Sequence, residues 1–159
     1  DCAMNLEEIK LSEGFESKAY KRNGDVWTIG YGSTYYANNS RIKQGDTITR
    51  EDAEMLLKSK IEKEYLPQLK SLIKSNLNDN QRDALLSLIY NIGAGNLRKS
   101  SLPGIINADP NSEAIKGVWL IQNIRTGSQF EKGLRARRKR EVELYFRRMC
   151  SQDTNIYKR

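Results

Sequence analysis

Histidine is missing altogether, and its absence excludes more chemistry than any single residue present. Without an imidazole there is no Ser–His or Cys–His nucleophile pair and no histidine-bearing zinc site. Cysteine is nearly as scarce. Cys2 and Cys150 stand at opposite ends of the 159 residues, where no CxxC metal or redox spacing is possible. Compact domains often bring their termini together, so a Cys2–Cys150 bridge and two free thiols both stay open. No window approaches the roughly eighteen apolar residues of a membrane span, so no stable membrane insertion is expected. The apolar core of a signal peptide is also missing, and Asp1-Cys2 in place of Met reads as either a processed or an artificially trimmed end, with no export route visible.

What is present is enough for one folded domain, taken as residues 1–159, in which disorder is confined to the ends: 38% hydrophobic residues, 30% charged residues, two tryptophans and only three prolines. The formal net charge of +7 draws polyanions, whether nucleic acid, anionic lipid or the acidic polymers of bacterial envelopes, and does not choose among them.

The capping-box-like Asn5-Leu6-Glu7-Glu8, with Leu6, Ile9 and Phe15, predicts a short first helix ending at Gly14. From Ser17 to Thr34 the pattern turns to β: Tyr20, Val26, Trp27, Ile29 and Tyr31 lie around Asn23-Gly24, which favours a tight hairpin turn. After the polar loop "YANNSRIKQGD", Thr49 caps a helix over "TREDAEMLLKSKIEKEYL", with Leu57, Ile61 and Tyr65 on one face, and Pro67 kinks or restarts it. Asn78 or Asp79 opens "NQRDALLSLIYNIG", whose stripe of Ala84, Leu85, Leu88, Ile89 and Ile92 closes at Gly93. Asp109-Pro110 reads as the cap and first turn of "NSEAIKGVWLIQNI". A last helix carries "GLRARRKREVELYFRR", with Leu134, Val142 and Tyr145 or Phe146 as its buried seam and the charges as a solvated face. The expected fold is α+β and mainly helical. A small hairpin lobe, approximately 12–50, and a larger helical lobe, 68–150, are joined by a long helix, with a cleft between lobes as the place for a site.

"SEGF…AYKRNGDVWTIGYGST", then "GDTITREDAEMLL", "LNDNQRDALLSLIYNIGAGNLRKSSL" and "GLRARRKREVELYF", resembles the phage-type lysozymes, the endolysin family of glycoside hydrolases, over roughly Glu8 to Phe146. The resemblance implies a two-lobed lysozyme-like domain that cleaves the β-1,4 bond between N-acetylmuramic acid and N-acetylglucosamine in peptidoglycan. It implies work at the cell wall, in the periplasm or outside the cell, as a monomer without cofactor or metal. The family pattern is a Glu, an Asp nine residues on and a Thr fifteen after the Glu. Glu13 matches the general acid, which must stay protonated until it gives its proton to the leaving oxygen. Thr28 matches the residue that helps hold the attacking water; the other reading is a strand residue chosen for β propensity. Gly30 and Gly32 let the backbone turn closely beside the site. Arg22, Tyr31, Tyr90, Asn91 and Ser101 are carried over as saccharide contacts, and Arg137 or Arg138 as the arginine facing the acid.

The middle position departs from the pattern: nine residues after Glu13 stands Arg22, and no shift of the alignment restores an aspartate. A positive charge there works against a protonated acid nearby. The nearest carboxylate, Asp25, is either a substitute base or a turn residue. Three outcomes follow: hydrolysis, cleavage in the manner of a lytic transglycosylase, or an impaired wall-binding module. The run "LRARRKR" offers a nucleic-acid reading as rival, set aside because its helix buries a seam.

Overall fold

The computed structural model describes residues 4–22 and 24–148. Cys2 and Cys150, and the question of their bridge, lie outside the described residues. The elements run α1 (Glu7–Glu13), β1 (Glu16–Arg22), β2 (Val26–Gly30), α2 (Arg50–Lys60), a π-helical stretch Ile61–Tyr65, α3 (Leu66–Leu72), α4 (Asp79–Ile92), α5 (Ala94–Lys99), α6 (Leu102–Ala108), α7 (Ala114–Leu120) and α8 (Glu131–Tyr145). The fold is α+β and mainly helical, with one small antiparallel sheet among the described residues. Two compact units divide it: Ile9–Glu64, and the residues before Ile9 together with those from Tyr65 onward. α2 falls within the first of these units.

In the hairpin unit, β1 and β2 pair Arg22 with Val26 and Tyr20 with Thr28, and a bulge separates Tyr20 from Glu16. Gly24 has φ +108°, a conformation that favours glycine in that turn. Ile48 N donates to Ser17 O and Ala19 N to Asp46 O, which zips the 46–48 segment onto the free edge of β1. Ala19, Ile29 and Ile42 form the buried centre, with Trp27, Tyr36 and Ile48 packed on it. Thr49 accepts from Asp52 N at 3.1 Å and starts α2, which buries Ala53 and Leu57. β2 lies against α2 so closely that a Cβ on Gly30 would come within 2.9 Å of Ala53 Cβ.

In the helical unit, Pro67 sits in the first turn of α3, where its missing N–H costs nothing. Asn78 and Gln81 form a reciprocal capping box that starts α4, and Gly93, at φ +85°, ends it. α4 buries more than the expected stripe: Leu86, Ser87, Gln81 and Asp83 are buried with Ala84, Leu85, Leu88, Ile89 and Ile92. It is the central helix of this unit, wrapped nearly all round, and it packs on α8.

Two sequence expectations are corrected. Asp109-Pro110 does not open a helix: Asp109 ends α6, its carboxylate accepts from Asn111 N at 2.9 Å, and α7 begins only at Ala114. An aspartate that satisfies the N–H two residues on makes a turn as readily as a cap, and the local sequence does not distinguish them. In α8, Leu134 and Val142 are only half-buried, while Arg137, Arg138 and Glu141 are buried with Leu144 and Tyr145. Part of the presumed solvated face is core, because the single Glu141 carboxylate pairs with both arginines and offsets part of their charge.

Candidate active site

α1 ends at Glu13, which is partly exposed. The helix closes through Gly14 N donating to Lys10 O at 3.0 Å. Gly14 takes φ +73°, and a Cβ there would touch nothing, so the glycine is required by conformation and not by space. The chain leaves Glu13 sharply and enters β1 three residues later. Phe15, in that exit, packs on Tyr31 with centroids 5.5 Å apart. The Arg50 guanidinium lies 4.4 Å from the Phe15 centroid and Lys10 Nζ 5.8 Å from that of Tyr31. Lys10 is further tied to Glu54 at 3.0 Å. The sequence reading missed Lys10, Phe15 and Arg50 as neighbours. They come from α1, from the exit that follows it and from α2, and no spacing rule links them.

Thr28 is central in β2 and buried, with Oγ1 donating to Val26 O at 3.4 Å. Two residues on, the chain reverses over Gly30-Tyr31-Gly32, closed by reciprocal 2.9 Å bonds between Ile29 and Ser33. Gly30 and Gly32 take φ +64° and +89°. Tyr31 is 5% exposed, its ring against Phe15. Arg22 is the last residue of β1, and its backbone faces Val26. Asp25 lies on the turn with its side chain fully exposed, 3.8 Å from Lys21 Nζ. Lys21 in turn lies over the Trp27 ring at 5.2 Å. Glu13, Arg22, Asp25, Thr28 and Tyr31 all belong to the hairpin unit.

The remaining candidates belong to the helical unit. Tyr90 is half-buried and packs on Tyr65 with centroids 4.9 Å apart. Asn91 accepts from Arg138 Nη2. Ser101 is exposed and its carbonyl takes the first bond of α6, from Ile105 N at 3.2 Å. Arg137 and Arg138 converge on Glu141. One carboxylate oxygen accepts from Ser87 Oγ at 2.6 Å and Arg137 Nε at 3.1 Å, the other from Trp119 Nε1 at 3.0 Å and Arg138 Nη1. Burial pulls the Arg138 pKa down, with Glu141 opposing the shift. This network sets the position of Asn91 through Arg138, and the family motif alone did not reveal it. Among the described residues no group of three or more His, Cys, Asp or Glu could hold a metal, and no helix is long and apolar enough to cross a membrane.

A short helix ending in a glutamate, an adjoining two-stranded hairpin that carries a buried threonine, and a separate helical unit define the lysozyme class of α+β folds. Comparison with known proteins narrows the class. The phage lysozyme family matches residues 10–141. The endolysin of Bacillus phage B103 is 34% identical over 91% of this chain and 52% of its own length, so the chain spans about half of that relative. The endolysin of Salmonella phage P22 is 34% identical over 73% of this chain and 78% of its own. A crystal structure of a P22 lysozyme mutant superposes with a TM-score of 0.77 at 32% identity, covering 88% of this chain and 93% of that one. The chain belongs to the phage lysozyme family.

Proposed function

We propose that this protein is a peptidoglycan-cleaving muramidase that cuts the β-1,4 bond between N-acetylmuramic acid and N-acetylglucosamine, with Glu13 as general acid and Thr28 beside the reacting centre. The observation that carries the reading is Glu13 closing α1 at a left-handed glycine, with Thr28 fifteen residues on in β2, in a chain matched to the family across both. A partly exposed carboxylic acid at a helix end can meet a glycosidic oxygen and protonate it as the bond breaks. Tyr90, Asn91 and Ser101 are proposed as saccharide contacts of the helical unit. The site of action is the wall, in the periplasm or outside the cell.

Zymography and turbidity loss on purified cell walls test the reading. Glu13→Gln, matched to the parent in thermal unfolding, should lose about a hundred- to ten-thousandfold in rate, about 3 kcal/mol or more of transition-state stabilisation. Near-parental lysis by that variant overturns it.

A second reading is favoured by Arg22 and by the solvent-facing Asp25 paired to Lys21. Hydrolysis with inversion needs a carboxylate to activate water opposite the acid. If none serves, the muramic acid's own 6-hydroxyl attacks the anomeric carbon. Glu13 gives its proton to the leaving oxygen and then takes the hydroxyl proton, and no water is consumed. Mass spectrometry of the digest separates the routes. Reducing ends that vanish in Asp25→Asn assign the base to Asp25, whereas 1,6-anhydromuramic ends unaffected by that change assign the transglycosylase route.

A further inference from the structure

The hairpin unit carries a groove whose lining includes none of Glu13, Asp25 or Thr28. One wall is a helix face. Leu56, Ser59, Lys60, Lys63 and Glu64 recur at i, i+3, i+4, i+7 and i+8 along α2 and its π-helical continuation, so they share one side. The facing wall is a small β-turn structure from Thr34 to Ile42. Tyr35 bridges Arg41, and Tyr36 N donates to Ser40 O at 2.9 Å. Asn39 reverses the chain at φ +69°. The hollow between the walls holds about 290 Å³, close to the lower end of ligand-sized pockets. It continues past Tyr36 and Leu56 into a second hollow of about 530 Å³ beside Ile48, Met55 and Asp52.

The turn wall is held in place. Tyr36 donates its hydroxyl to Asp46 at 2.6 Å, and the same carboxylate oxygen accepts from Lys43 N at 2.9 Å. Lys63 Nζ reaches Ala37 O at 3.5 Å across the groove. A cavity between such walls needs little reordering to receive a ligand, which lowers the cost of binding. The π-helical stretch supplying Lys63 and Glu64 is itself a rare conformation, met often at functional sites.

The chemistry of the lining is neither that of an apolar protein contact nor that of a bare basic patch. Tyr35, 45% exposed, brings an aromatic face of the kind that receives the apolar side of a pyranose. Thr34, Asn39 and Ser59 bring hydroxyl and amide groups for ring hydroxyls and acetamides. Lys60 and Lys63, with Arg41 stacked 5.0 Å from the Tyr35 centroid, outweigh the one carboxylate of the smaller hollow, Glu64. The complementary ligand is an N-acetylated glycan bearing carboxylates. We propose that this groove is a second peptidoglycan-binding site, which takes an anionic glycopeptide segment of the wall and keeps the enzyme on its polymer between cuts. The proposal rests on the muramidase reading for the identity of the polymer. Two loci on one polymer raise apparent affinity without new contacts at either.

The test uses the full chain carrying Glu13→Gln, so that walls persist during measurement. Sedimentation with insoluble peptidoglycan is compared for this parent and for the same protein with Tyr35→Ala or Lys63→Glu, both exposed positions. Each change should weaken wall binding about tenfold by removing one anchoring locus, while the same changes in the Glu13 background leave turnover of a short soluble glycan as it was. In the parent, titration with a soluble disaccharide-tetrapeptide should shift amide resonances of residues 34–39 and 59–64, a readout that needs no groove variant to fold. Unchanged wall binding, an absence of shifts in those segments, or retention on phosphatidylglycerol vesicles in preference to walls overturns the proposal. The two readings fail separately. If Glu13→Gln abolishes cleavage and the groove variants bind walls as the parent does, only the groove falls. If Glu13→Gln still cleaves and the groove variants lose the wall, only the catalytic reading falls.

Discussion

Glu141→Gln is the most exacting perturbation of the helical unit, because four donors converge on that one carboxylate. Ser87 Oγ, Trp119 Nε1, Arg137 Nε and Arg138 Nη1 all point at its two oxygens, and Glu141 and Arg138 are both 0% exposed. The glutamine keeps the shape but accepts through a single oxygen. Its NH2 group then faces two of the donors, and the Arg138 guanidinium loses the carboxylate it bonds. Removing one partner of a buried ion pair costs about 3–5 kcal/mol, since the remaining charge stays desolvated. Against a total stability of roughly 5–15 kcal/mol this is a large fraction. For a chain of this size it lowers Tm by roughly 6–20 °C. Urea unfolding at neutral pH, followed by tryptophan fluorescence and far-UV circular dichroism, measures it as a fall in midpoint at unchanged slope. A loss below about 1 kcal/mol, the range of exposed pairs, refutes the argument that this network is desolvated core. A companion variant, Arg137→Met with Arg138→Met and Glu141→Leu, should recover much of the loss, since well-packed apolar replacements of buried ion networks are often neutral or better.

Gly30→Ala should cost about 2–4 kcal/mol, from a left-handed alanine and a Cβ 2.9 Å from Ala53 Cβ; adding Ala53→Gly should return part of it in thermal unfolding, and no recovery would mean that the φ angle alone is responsible. Burial pushes the Asp83 carboxyl above its ordinary 3.8, opposed by Asn5 N–H and Arg82. The native state therefore binds that proton more tightly than the unfolded chain, and the group's contribution to stability falls as pH rises from below 3.8 through the folded value. The Tm difference of Asp83→Asn minus parent should thus grow with pH across that window, and a difference that shrinks contradicts the assignment. Tyr36 is pushed up to about 12 by burial, then by Asp46, while its hydrogen bond holds the Asp46 carboxyl below 3.8. In Tyr36→Phe, NMR titration should find Asp46 moved back up toward its ordinary value.

The amino-acid order alone settled what depends on neighbours a few residues apart. Thr49 and Asn78 start helices because a side-chain oxygen meets an N–H three positions on, and Gly14 and Gly93 stop them because a left-handed turn favours a residue without Cβ. The Glu13 and Thr28 spacing was equally legible, as was membership of the family, because motif order survives where most positions have changed. Tertiary structure decided the rest. Whether Asp109 caps a helix or makes a turn depends on which N–H it satisfies, and both lie within its reach. Arg137, Arg138 and Glu141 look like surface in any one-dimensional pattern. They are core because Ser87 and Trp119, far away in the chain, bring the donors that let the charges be buried together. Phe15, Tyr31, Lys10 and Arg50, and the groove between the Thr34–Ile42 turn and α2, likewise exist only where separate segments meet. Sequence periodicity reports which face of an element is apolar, and it carries no information about what that face will meet.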